Sequence, residues 1–169
     1  KVKIDGVVRK SLHHAIGLMD VIELENVSDI YRLVPTEGKI LKPIKINESE
    51  KSKKLVRVVT KTSINKETTQ TGFHDGRSTL AEVKAGVGDT CVMQIPDQKI
   101  LDIIKLEAGC QGLVVRGINA GQIGKVESVE EGTFILPKRV ILILGDKKIE
   151  IPADIIMPIG KEEPVIQLK

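Results

Sequence analysis

The chain has 169 residues, a mass of 18.5 kDa and a net charge of +3. A body of this size buries roughly 70% of its unfolded-chain surface, so one large domain or two small ones are feasible. With 41% hydrophobic residues and no apolar run near the ~20 residues of a span, disorder and a transmembrane helix are excluded. Val and Ile together number 41, against 14 Leu and 6 Ala, and Tyr31, Phe73 and Phe134 are the only aromatics. β-branched side chains lose χ1 freedom in helices and pack well on pleated sheets. An all-helical bundle is therefore excluded and a mainly β chain is expected.

Short apolar runs read as strands at 2–4, 7–9, 20–24, 31–34, 39–46, 55–61, 91–95, 113–116, 123–129, 133–136, 140–144, 148–151 and 155–159. Residues 99–106 fit either period, and the preceding Pro96-Asp97 turn favours a returning strand. Asp5-Gly6, Thr36-Glu37-Gly38, Asp75-Gly76, Gly88-Asp89, Pro96-Asp97 and Gly145-Asp146 punctuate these runs as hairpin connections. Strands at such spacing imply barrels or sandwiches rather than a parallel sheet. One short helix is predicted near 47–54. Asn47 is its cap, Glu50 lies three residues on, and Lys51, Lys53 and Lys54 fall in its last turn.

From Lys42 to Lys66, eight basic residues face only Glu48 and Glu50, a local excess of +6. This run reads as a solvated helix face with a lysine-guarded strand edge, or as a phosphate-binding stripe, and the two are compatible. A domain boundary is expected near Glu107-Ala108-Gly109, where a new set of strands begins. The run Gly117 to Gly124 links two strands through glycines that permit positive φ and expose backbone amides, a geometry suited to close approach of an RNA backbone or to a bulged hairpin.

No catalytic constellation emerges. His13-His14 and His74-Asp75 lack the further ligands a metal site needs, and His74 is expected to cap the Asp75-Gly76 turn or face solvent. A phosphate loop at Gly124-Lys125 would need Gly at 119 and Ser or Thr at 126, where Asn119 and Val126 stand. Cys91 and Cys110, with 18 residues between them, form no CxxC pair, and Cys91 is expected in the core. Two thiols without a signal-peptide pattern fit a reducing cytoplasm. The first residue is Lys, so the chain is expected to be a piece of a longer protein.

Gly112-Leu-Val-Val-Arg-Gly-Ile-Asn-Ala-Gly-Gln-Ile-Gly-Lys-Val-Glu-Ser-Val129 resembles a KOW motif. Ala15-Ile-Gly-Leu-Met-Asp-Val-Ile22, Gly72-Phe-His-Asp-Gly-Arg77, Gly88-Asp89, Ile95-Pro96 and Ile155-Ile-Met-Pro-Ile-Gly160 resemble, in order and spacing, segments of the archaeal and eukaryotic small-ribosomal-subunit protein family S4e. His13-His14-Ala15 departs from the Pro-containing lead-in of that family. The resemblance implies a remnant of an S4-type RNA-binding domain at 1–10, a central family domain at 11–108, and a KOW-containing Src-homology-type β-barrel domain at 109–169. The expected fold is thus mainly β, with two small β-barrel-like domains.

The implied role is a structural constituent of the small ribosomal subunit that binds ribosomal RNA in translation. Its partners would be that RNA and other small-subunit proteins, with no membrane, small-molecule substrate, cofactor or metal, and its location the cytoplasmic ribosome. A KOW-type transcription elongation or RNA-processing factor is the alternative. With so few aromatics, contact should run through phosphates and 2′-hydroxyls rather than stacked bases. The candidates are Lys1, Lys3, Arg9 and Lys10 on the first hairpin; Lys42, Lys45, Lys51, Lys53, Lys54, Arg57, Lys61 and Lys66 along the basic run; Arg77 at the Asp-Gly turn; and Arg116, Asn119, Gln122 and Lys125 at the glycine loop.

Overall fold

The structure, a computed structural model, describes residues 1–11, 13–64 and 68–168. Among these, the strands pair antiparallel throughout and form three five-stranded sheets. The first sheet holds β1 (Val2–Ile4), β2 (Val7–Arg9), β3 (Val21–Leu24), β4 (Ile30–Thr36) and β5 (Lys39–Ile46), in the order β2-β1-β3-β4-β5. The second holds β6 (Lys53–Ser63), β7 (Thr69–Phe73), β8 (Ser78–Thr79), β9 (Thr90–Gln94) and β10 (Lys99–Ile104), in the order β10-β9-β6-β7-β8. The third holds β11 (Gln111–Val114), β12 (Ile123–Glu130), β13 (Arg139–Leu144), β14 (Lys147–Pro152) and β15 (Ile156–Gly160), in the order β14-β13-β12-β11-β15. Among the described residues no pairing joins the outer strands of any sheet, so none is a closed barrel.

The mainly β expectation holds, and the 99–106 run is a strand, β10. Three local expectations are corrected. The helix near 47–54 is a single 3-10 turn, Glu48–Glu50, and the Asn47 side chain makes no capping hydrogen bond. Glu50 turns instead to Arg32, whose buried guanidinium donates to Glu50 Oε2 at 2.9 Å and to the carbonyls of Glu50 and Lys53 at 3.1 and 2.9 Å. Lys53 and Lys54 then enter β6, because Leu55, Val56 and Val58 are fully buried along that central strand. Residues 133–136 form a loop tip rather than a strand. The Thr133 N–H donates to the Leu136 carbonyl and the Leu136 N–H donates to Thr133 Oγ1, closing a tight turn that leaves Phe134 and Ile135 exposed. Gly88-Asp89 is not a hairpin connection; the Asp89 carboxylate accepts the Gly86 and Leu106 amides and shapes the entry to β9.

The core is shared. One apolar cluster takes Met19 from the first sheet's loop, Leu55, Val92 and Ile104 from the second sheet, Leu113, Met157 and Ile159 from the third, and Ile166 beyond it. Separate clusters lie within the second sheet, around Val56, Val58, Phe73 and Cys91, and the third, around Val126, Val140, Leu142 and Ile156. Cys91 is a buried free thiol pushed up to about 11 by burial, as expected of a core cysteine.

A second join between the first two sheets is ionic. Lys54, second residue of β6, points inward and is only 1% exposed. Its ammonium lies 2.7 Å from Asp5, 2.5 Å from Asp20 and 3.0 Å from Asp75. Asp5 sits in the β1–β2 turn with φ +51, followed by Gly6 with φ +77, the pair of positive φ values that a tight hairpin needs. Its other oxygen accepts the Val21 N–H at 3.0 Å, and the Asp20 carboxylate accepts the Gly17 N–H at 2.7 Å. Burial alone would push the Lys54 ammonium down; Asp5 and Asp20 together overcome that and hold it above its usual range. Replacing Lys54 by Met should destabilise the fold by about 3–5 kcal/mol, because it leaves buried carboxylates uncompensated. Urea unfolding of the two chains measures this, and an unchanged midpoint would contradict it.

Candidate nucleic-acid interface

The chain's basic run does not form one face. Lys42, Pro43 and Lys45 lie on β5, the edge of the first sheet, where charge and a missing N–H discourage pairing with another strand. Lys45 is paired with Asp29 at 2.6 Å and Lys51 with Glu48 at 3.0 Å. The Lys61 ammonium donates to the Val83 and Ala85 carbonyls at 2.8 and 3.1 Å. Lys54 is corrected from a surface candidate to a buried structural cation, since the alternation of β6 directs it to the three aspartates. Lys66 lies outside the described residues. Lys42 and Lys53 remain exposed without an acidic partner among the described residues. Lys1, Lys3 and Lys10 are exposed on or beside the first hairpin.

The glycine loop between β11 and β12 is a hydrogen-bonded strand connection. Its amides are not offered to solvent as a set: those of Ala120, Gly121 and Gln122 donate to the carbonyls of Gly117, Val114 and Asn119 at 3.1, 2.8 and 3.1 Å. Gly121 has φ +85, and a Cβ there would stand 2.6 Å from the Pro35 carbonyl oxygen. That glycine is required for close packing of the loop on the first sheet. Arg116 and Lys125 are exposed beside it, while Asn119 and Gln122 are half-buried.

The structure brings four of the candidate arginines together. Arg9 from the first sheet, Arg57 and Arg77 from the second, and Arg116 after β11 line one cleft of about 1020 Å³ at the junction of the sheets. Arg57 Nη1 donates to the Asp154 carbonyl oxygen. Burial pushes the Arg57 guanidinium below its usual range, Asp154 pulls it back up, and repulsion from Arg116 depresses it again. Arg77 is held by Asp5, 2.6 Å from its Nη2, and by Asp75, 3.6 Å from its Nε. The Asp75 side chain in turn accepts the Arg77 N–H at 3.1 Å, closing the turn 74–77. Burial would raise the Asp75 carboxyl, but Lys54 and Arg77 hold it below its usual range.

His74 does not face solvent. Its Nδ1 accepts the Arg57 N–H at 3.0 Å, so Nε2 carries the proton and donates to the Leu18 carbonyl at 3.2 Å. Burial holds its imidazolium form down despite the opposing pull of Leu18 and Asp75. Sequence reasoning missed the aspartates that organise this region. Their signal was present in three separate segments, Ile4-Asp5-Gly6, Met19-Asp20-Val21 and His74-Asp75-Gly76-Arg77, whose convergence on Lys54 only the fold shows. Among the described residues no group of three His, Cys, Asp or Glu side chains could hold a metal ion, and no helix is long and apolar enough to cross a membrane.

These features define an all-β protein with a polycationic cleft and dispersed surface cations. Residues 27–100 match the ribosomal protein family S4e. The chain is 38% identical to small ribosomal subunit protein eS4 of Staphylothermus marinus, covering 98% of this chain and 70% of that protein. It is 35% identical to the eS4 protein of Methanothermobacter thermautotrophicus, covering 99% and 70%. The crystal structure of 30S ribosomal protein S4e from Thermoplasma acidophilum superposes with a TM-score of 0.82 at 29% identity, covering 95% of this chain and 80% of that one. The chain belongs to the S4e family of ribosomal proteins, which are structural proteins and not enzymes.

His74 and Asp75, adjacent on one turn, both have folded values below their ordinary ones, so each contributes stability that is lost on acidification. The His74 contribution is complete above its unfolded value near 6.5 and falls as pH drops from there through the folded value; that of Asp75 is complete above about 3.9 and falls below it. Thermal unfolding across pH 7.5 to 3 should therefore show two acid phases. His74→Gln should remove the upper one and keep the lower, and an unaltered upper phase in that variant would refute the assignment.

Proposed function

We propose that this chain is a structural constituent of the small ribosomal subunit that holds ribosomal RNA through its backbone phosphates and 2′-hydroxyls. The observation that carries the reading is near-complete coverage by relatives at 35–38% identity, each named as a small ribosomal subunit protein. The surface chemistry supports it. Exposed cations without acidic partners among the described residues occur on all three sheets or beside them, at Lys3, Lys10, Lys42, Lys53, Arg116 and Lys125. They are backbone-directed donors, and the aromatics form no multi-ring stacking platform: Phe73 is buried and Tyr31 half-buried, which leaves Phe134 as a single exposed ring on its loop.

The domain reading belongs to this proposal. The third sheet is built wholly from residues after the 107–109 boundary, which supports a unit at 109–169 carrying the KOW-like segment beside a central unit at 11–108. The hairpin within 1–10 is hydrogen-bonded to β3, so a preceding RNA-binding domain would continue directly into the first sheet. Ribosomal RNA and neighbouring small-subunit proteins are the partners, on cytoplasmic ribosomes.

Binding to a small-subunit ribosomal RNA fragment should weaken as salt rises, by roughly 0.7–0.9 in log K per log unit of salt for each phosphate neutralised. Lys42→Ala and Lys53→Ala should each reduce the slope by about that amount, whereas Lys148→Ala, whose ammonium is paired with Glu127, should leave it unchanged. Filter binding from low to moderate salt reads the slopes. A flat salt response of the parent chain, or its absence from small subunits on cosedimentation, would overturn the reading.

A further inference from the structure

We propose that the three-sheet cleft is a phosphodiester-binding site, in which guanidinium groups from each sheet grip the backbone of one inserted RNA strand. The anion is taken as a phosphodiester on the strength of the RNA-binding reading; the site itself rests on four observations. First, three of its arginines carry buried N–H groups without a partner: Nε of Arg9, Nε of Arg57 and Nη1 of Arg77. A buried guanidinium donor left unmet is costly, and it is unusual to find three around one cavity. Second, Arg57 and Arg116 line the same cleft and their like charges disfavour one another, an arrangement that an anion bound by both would turn from unfavourable to favourable.

Third, the acidic groups of the cleft are largely spent. Asp5, Asp20 and Asp75 have side chains only 2%, 10% and 8% exposed and are held on Lys54 and Arg77. Asp154, which is exposed, is the remaining carboxylate in the lining. Fourth, the shape suits a strand backbone rather than a base or a lone ion. Phe73 is 5% exposed and the His74 ring is held by Arg57 and Leu18, so among the described residues the exposed imidazole of His14 is the one ring at the cleft open to a base. The volume of 1020 Å³ far exceeds one phosphate and leaves room for the flanking sugars. Guanidiniums arriving from different sheets match a tetrahedral group with several acceptor oxygens better than a planar carboxylate.

The test uses the full chain, labelled for observation of arginine Nε–H signals and titrated with dimethyl phosphate at low salt. The Arg9 and Arg57 signals should shift together and saturate, while that of Arg139, paired with Glu150 on the third sheet, should not saturate with them. Arg116→Ala should weaken the apparent affinity about tenfold, the scale of one lost charge-assisted contact, and Asp154→Asn should strengthen it. Inorganic phosphate and a single-stranded RNA oligomer form parallel arms, and the RNA should displace dimethyl phosphate from the cleft signals. Uniform unsaturated shifts at all arginines would overturn the site even where ribosomal RNA still binds. Saturation of the cleft in a chain that fails to bind ribosomal RNA would uphold the anion site and overturn the RNA reading instead.

Discussion

One buried ammonium group organises this chain. Lys54 is shared by Asp5, Asp20 and Asp75, which come from a hairpin turn, a loop before β3 and a turn after β7. Removing these charges from water is expensive, and a buried pair rarely repays that in stability compared with apolar packing. What the arrangement supplies is placement. Each carboxylate also bonds backbone or a second cation: Asp5 takes the Val21 amide and Arg77, Asp20 the Gly17 amide, and Asp75 the Arg77 amide. Pairing of β1 with β3 and the His74 bond to the Leu18 carbonyl bring these three loops together, and the shared ammonium fixes them around a single point.

The consequence reaches the surface through Arg77 and His74. The cluster holds three carboxylates against one lysine, and Arg77, anchored on Asp5 and beside Asp75, brings it nearer to balance. Arg77 also lines the cleft, and its buried Nη1 has no partner among the described residues. His74, on the same turn, fixes the start of the Arg57 backbone through its neutral ring. Two of the cleft arginines are thus positioned by the interior rather than by solvent, which keeps their side-chain entropy cost out of any binding step. The third sheet is brought to the same junction by the shared apolar core and by Gly121 against Pro35, and it delivers Arg116.

Much of the architecture was legible because its signals are local. β-branched runs bounded by Asp-Gly and Gly-Asp turns gave strands at β1, β2, β12, β13 and β14 within a residue or two. β7 was missed because Thr69-Gln-Thr-Gly-Phe73 carries almost no apolar alternation; it forms by pairing with β6, a nonlocal cause. The 47–54 helix failed for the same kind of reason. Asn47, Glu50 and the lysines satisfy every local helix rule, yet Glu50 is claimed by Arg32 and Lys54 by the aspartates, both distant in sequence. The candidate site divides likewise. Charge counts identify cations, but Lys54, Lys45 and Lys51 are already neutralised, and counting cannot show which partners the fold supplies.

The same point changes what the modest net charge means. A local excess of +6 along residues 42–66 suggests binding by charge density, yet in space that run is divided between a sheet edge, a buried ion cluster and a central strand. Charge density on mobile lysines gives affinity that salt removes and little orientation. A few arginines held by a rigid interior give the reverse: directional donors at fixed spacing, effective because they are partly desolvated. For a protein whose proposed task is to hold a folded RNA in one geometry, orientation matters more than total charge. An interior ion cluster that costs stability but fixes Arg77, beside a neutral His74 that holds the Arg57 backbone, is consistent with that task.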